Sequence, residues 1–164
     1  MGENGWADFF VATMGAAAAL TGLVIVAISI NLKQILRFKQ LPGRAAEALC
    51  ILAGAMSAAG LALIPHQRLS TFGFEIVCVG AAVCFASIYN QIKAYSVLRK
   101  LKRMQTSWWL ARIPVGFTGL PFLIGGVLML AGADAGAYWI AAGVLISLVV
   151  GVQVTWVLLV EILR

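Results

Sequence analysis

Five nearly unbroken apolar stretches divide the chain, at about 9–32, 45–65, 70–92, 111–133 and 137–160. A helix needs about 20 mostly apolar residues to cross the hydrocarbon of a bilayer, and each stretch meets that length. The pattern predicts an all-α, polytopic integral membrane protein with five transmembrane helices, forming one domain over 1–164. The fourth stretch is the least regular. Pro114 falls in its first turn, and Pro121 near its middle follows Gly116 and Gly119, so a missing backbone N–H predicts a kink there. No internal repeat is evident, and an odd helix count argues against two inverted halves.

Composition agrees with this reading. The chain is 62% hydrophobic and 11% charged, with a mean hydropathy of +0.99, whereas soluble domains are about 45–50% apolar and about 25% charged. A soluble fold of this size could not hide that much apolar surface, so the expected partner is the lipid bilayer. The net charge of +6 does not indicate nucleic acid, because the basic residues lie in short runs between apolar stretches.

Those runs predict orientation. Lys33, Arg37, Lys39 and Arg44 follow the first stretch, six more Lys and Arg lie between Lys93 and Arg112, and Arg164 ends the chain. Eleven of the 12 basic residues fall on one side, leaving Arg68 on the other. Basic loops stay in the cytoplasm, which puts 33–44 and 93–110 inside, the N-terminus outside and the C-terminus in the cytoplasm. Trp6, Phe9, Phe10, Tyr138 and Trp139 would mark the outer interface, and Trp108 and Trp109 the inner one. KQILRFKQ (33–40) and KAYSVLRKLKRMQ (93–105) keep apolar residues at helical spacing and should extend their helices along the inner interface. The start, MGENGWAD, lacks the basic region of a signal peptide.

Small residues point to close helix packing. Gly15, Ala18, Ala19 and Gly22 recur along the first helix, Gly54 and Ala58 along the second, and Gly143, Ser147, Gly151 and Thr155 along the fifth. Such faces let backbones approach closely where lipid offers no hydrophobic drive. They fit contacts within one subunit or between subunits of a homo-oligomer.

Polar residues at membrane depth are costly and therefore informative. Asn90 and Gln153 lie at similar depth, either bonded to each other between helices or lining a polar path. Asn31, at the end of the first stretch, joins them as a path candidate. Glu75 sits one turn inside the outer end of the third helix, where an outer salt-bridge cluster with Arg68 and Asp134 is the structural expectation. A cation-binding carboxylate at an outer vestibule is the functional one. Glu47 and Glu161 read as counter-charges to the basic loops, and His66 as an exposed loop residue. Cys50, Cys78 and Cys84 read as small apolar groups packed in the core.

No zinc-protease pair, nucleophile with a base, phosphate loop or dinucleotide fingerprint is present in the sequence. The expectation is a protein that is not an enzyme, with no metal and no cofactor.

The stretch WADFFVATMGAAAALTGLVIVAISINL (6–32), followed by LPGRA (41–45), resembles the opening of an uncharacterised family of small bacterial multi-pass membrane proteins. That resemblance covers the first fifth to quarter of the chain. It implies a location in the cell inner membrane and no known activity. Ala19, Leu20, Thr21, Gly22, Val26 and Ala27 are also similar to the pore helix of Orai calcium channels. Ile30 stands where those channels place their selectivity acid, and the expected direction of crossing is reversed. The leading functional expectation is a small oligomeric channel or pore-forming protein lined by the first helix or by the Asn90 and Gln153 surface. The alternative is a non-catalytic accessory subunit that binds other membrane proteins, and a small-solute transporter is a third reading.

Overall fold

The computed structural model describes residues 5–37, 41–100, 115 and 117–163, with side chains through Lys93 in the second segment and Trp156 in the last. Six helices occupy the described residues: α1 (Gly5–Ile30), α2 (Leu32–Arg37), α3 (Leu41–Ala62), α4 (Leu69–Lys100), α5 (Leu120–Leu130) and α6 (Gly136–Leu163). Four of them, α1, α3, α4 and α6, are long and apolar enough to cross a membrane.

The expected fourth crossing at 111–133 is described only in part. Among the described residues of that range, only α5, 11 residues long, is helical beyond the isolated Val115. At about 1.5 Å per residue α5 reaches about 16 Å, roughly half of the hydrocarbon thickness. Pro121 does not kink a long helix. It sits in the first turn of α5, behind Gly119 at the N-cap, where its missing N–H disturbs no helical bond. Pro114, Trp108, Trp109 and most of the second basic loop lie outside the described residues.

The far end of α5 closes in a Schellman turn. Gly132 adopts φ +77°, its N–H bonds to the Met129 carbonyl, and the Ala133 N–H bonds to that of Leu128. A left-handed residue just past a helix end is the place where glycine is favoured. At the start of the first basic stretch, Asn31 separates α1 from α2. Its side-chain amide donates to the Ala27 carbonyl at 3.0 Å, and its own carbonyl accepts from the Gln34 and Ile35 N–H groups.

Helices α3, α4, α5 and α6 each run antiparallel to the next. Gly54 of α3 faces Val83 and Val79 of α4, and Gly43 faces Asn90, so positions rise on one helix as they fall on the other. Gly80 of α4 meets Leu123 of α5 while Gly73 meets Gly126 and Leu130. Gly125 of α5 meets Gly136 and Ile140 of α6, and Gly151 of α6 returns to Leu52 of α3. Helices α3, α4, α5 and α6 thus close a four-membered ring, and α1 lies against α3 and α6. Phe72, Ile76, Phe122, Met129, Ile140 and Val144 fill one half of the core between these helices. Lys33, Arg37, Arg44 and Lys93 gather at the other, basic, end, where α1 stops and α3 begins.

Candidate functional site

The site grows from the seam between α3 and α4 near the basic end. Gly43 and Gly54 both face α4. Glu47 lies four residues beyond Gly43 and seven before Gly54, which places it on the same side of the helix. On α4, Val83 and Asn90 face α3, and Ser87 lies between them at the same helical spacing. Glu47 and Ser87 are therefore level across the seam, and each is 1% exposed. A Cβ built on Gly43 would stand 3.4 Å from the Asn90 side-chain oxygen, so that amide closes the seam one turn toward the basic end. Arg44, half-buried, stands one turn before Glu47.

The Ser87 hydroxyl is buried with no hydrogen-bond partner, and so is that of Ser147. Buried polar groups are normally satisfied, and each exception calls for an explanation. Thr118, whose hydroxyl donates to the Val115 carbonyl at 2.9 Å, lies one turn from Phe122, and Ser147 lies one turn from Gly143. Because Phe122 packs on Gly143, Thr118 and Ser147 follow that contact toward the basic end. Among the described residues, the half of the core nearer the basic end thus holds Glu47, Ser87, Thr118 and Ser147, whereas the one buried polar side chain of the other half, Thr13, donates to carbonyls of its own helix.

The residues expected from sequence to form sites are arranged differently. Glu47 is buried rather than at the surface: the α3–α4 packing that Gly43 and Gly54 permit draws it into the interior. Asn90 and Gln153 do not meet, because Asn90 faces α3 whereas Gln153 of α6 is exposed on the outside of the bundle. Glu75 is half-buried, and its carboxylate accepts a hydrogen bond from the Gln67 side-chain amide. Arg68 is exposed and makes no ion pair with Glu75, and Asp134 is exposed too. Gln67 and Arg68 both lie in the short connection before α4, and it is the Gln67 side chain that reaches Glu75.

The small residues divide into two groups. Gly54 meets Val83, Gly143 meets the Phe122 ring and Gly151 meets Leu52, while Ala58 is fully buried. Thr155 donates to the Gly151 carbonyl of its own helix at 2.8 Å. Gly15 and Gly22 have nothing within 4 Å of an added Cβ, and Ala18 and Ala19 are exposed. That face of α1 turns away from the subunit. Only 17% of the α1 span is buried, against 50% for α3 and α6. The hydroxyls of Thr13, Thr21 and Ser29 on α1 are satisfied by carbonyls of their own helix.

At the end away from the basic residues, Trp6 packs against Tyr138 with ring centroids 5.0 Å apart and stacks on Phe10. Cys50 and Cys78 are free thiols exposed on the bundle surface rather than packed in the core, and Cys84 is half-buried. Glu161 lies beyond the described side chains. Ser87 carried no signal beyond its place in an apolar stretch. Its period of four with Val83, set against Gly54 and Gly43, is what could have found it. No family model, curated protein or solved structure matches this chain.

Proposed function

We propose that this protein is the subunit of a small homo-oligomeric channel of the cell inner membrane, with its N-terminus outside and its C-terminus in the cytoplasm. In this reading Val115 and α5 belong to the fourth of five crossings, at 111–133. The observation that carries the proposal is the outward face of α1, where Gly15 and Gly22 have open space around them and Ala18 and Ala19 are exposed. A small-residue face gains little from lipid and much from a second helix that can approach its backbone. The exposed amide of Gln153 adds to this, since a polar side chain at membrane depth is stabilised by facing protein or water.

The subunit core supports a path between subunits rather than through one. Phe122, Ile76 and Val144, all fully buried, occupy the space between the ring helices. Reconstitution of the purified protein in liposomes loaded with a fluorescent ion indicator tests the proposal. Flux above that of empty liposomes is the expected result. A stable complex with other membrane proteins and no flux would favour the accessory-subunit reading instead.

A further inference from the structure

At the end of the bundle away from the basic residues, Gly5, Trp6 and Phe9 of α1 and Tyr138 of α6 line an open hollow of about 380 Å³. Sites for small molecules begin at about 300 Å³. Three of the four lining residues are aromatic, and their rings stand nearly perpendicular. Trp6 meets Tyr138 at 78° with centroids 5.0 Å apart, and meets Phe9 at 86° and 6.2 Å. Phe10, 2% exposed, stacks on Trp6 with centroids 5.9 Å apart, which braces the indole from the core side. A Cβ added to Gly5 would meet nothing within 4 Å, so the glycine leaves its side of the hollow open.

Aromatic faces carry the negative part of the ring quadrupole and attract cations within about 6 Å of their centroids. A primary ammonium is strongly hydrated and needs hydrogen-bond acceptors in place of its water. A quaternary ammonium spreads its charge over methyl groups and donates no hydrogen bond, which suits a hollow walled by rings. An interfacial belt of aromatic residues requires neither walls at right angles nor a hollow between them.

The charge around the hollow agrees. Helices α1 and α6 both begin here, and each helix start carries about half a positive charge. Asp8 in the first turn of α1 and Asp134 just before α6, both exposed, together outweigh those two half charges. Arg68 and Glu75, on the α3–α4 side of the same end, offset each other in charge. Lys33, Arg37, Arg44 and Lys93 all lie at the opposite end.

We propose that Trp6, Phe9 and Tyr138 form a binding site for a quaternary ammonium group, carried by a choline-type lipid headgroup or by a free solute. The site does not depend on whether subunits assemble into a pore, so its test is binding rather than flux. The full chain is purified in a maltoside detergent, which contains no choline. Choline chloride is titrated while saturation-transfer NMR follows its methyl signal, beside its neutral tert-butyl analogue, in which carbon replaces the nitrogen. In parallel, phosphatidylcholine and phosphatidylethanolamine are supplied in equal amounts, and native mass spectrometry reads which lipid stays bound.

A site for a free solute binds choline more tightly than the neutral analogue. A headgroup site retains phosphatidylcholine over phosphatidylethanolamine. Tyr138→Leu should weaken whichever response occurs by about two- to fivefold, the effect of one exposed cation–π contact. Tyr138 is 70% exposed, so that variant should melt close to the parent. Tyr138→Phe keeps the ring and should keep the response. The proposal is overturned if choline binds no better than its neutral analogue and neither lipid is preferred. A response that Tyr138→Leu leaves unchanged, or that Tyr138→Phe abolishes, overturns it as well.

Discussion

Gly151 of α6 lies so close to Leu52 of α3 that a Cβ added to the glycine would stand 2.6 Å from Leu52 Cδ2. The contact joins the last helix to the centre of the ring and leaves no room for a side chain. Gly151→Leu should therefore lower the melting temperature of the purified protein, by an overpacking cost of about 1–3 kcal/mol. Leucine is compatible with lipid, so insertion energy is not the cause. A variant that melts with the parent would show that this face does not bear the α3–α6 contact.

The α4–α5 seam is tighter, because the atoms facing its glycines are backbone. A Cβ at Gly80 would stand 2.9 Å from the Leu123 nitrogen, and one at Gly126 would stand 2.8 Å from the Gly73 oxygen. Backbone cannot rotate away as the end of a leucine can. Gly80→Ala and Gly126→Ala should each destabilise more than Gly151→Ala in the same thermal assay. The reverse order would mean that α5 moves freely against α4.

Much of this architecture is legible in the sequence, and the reasons it fails in places are physical. Long apolar stretches find α1, α3, α4 and α6, since hydrocarbon thickness imposes a length on any crossing helix. The period of four in Gly143, Ser147 and Gly151 marks a packed face, but the similar spacing of four and three in Gly15, Ala19 and Gly22 marks an outward one. Spacing reveals a face and not its partner. Hydropathy places Glu47 near a basic loop, and only the register of α3 against α4 shows it turned inward, level with Ser87. The Glu75 partner was missed because charge complementarity favoured Arg68, whereas in the turn before α4 it is the Gln67 side chain that reaches Glu75.

That turn supplies a test of its own. Glu75→Gln and Gln67→Leu should each destabilise the protein, and a double-mutant cycle should show coupling of about 0.5–1.5 kcal/mol for a half-buried hydrogen bond. Arg68→Gln, at an exposed position with no ion pair to Glu75, should stay within about 0.5 kcal/mol of the parent. Strong coupling of Glu75 to Arg68 and none to Gln67 would reverse the assignment.

Orientation is open to labelling in a variant whose three cysteines are replaced. Gln34 and Ala135 are exposed at opposite ends of the bundle, whereas Gly136 is too tightly packed against Gly125 to accept a cysteine. A membrane-impermeant thiol reagent added outside cells should label Ala135→Cys and spare Gln34→Cys. Labelling of Gln34→Cys alone would invert the topology.

The central claim, that subunits meet through the outward face of α1, is tested most directly by native mass spectrometry of the detergent-solubilised protein beside its Gly22→Leu variant. Gly22 has open space around it within its own subunit, so leucine there should leave the subunit fold and its melting temperature intact. The account predicts a closed homo-oligomer for the parent, shifted to smaller species in Gly22→Leu. A parent that is monomeric, or an oligomer that Gly22→Leu leaves unchanged, would contradict it.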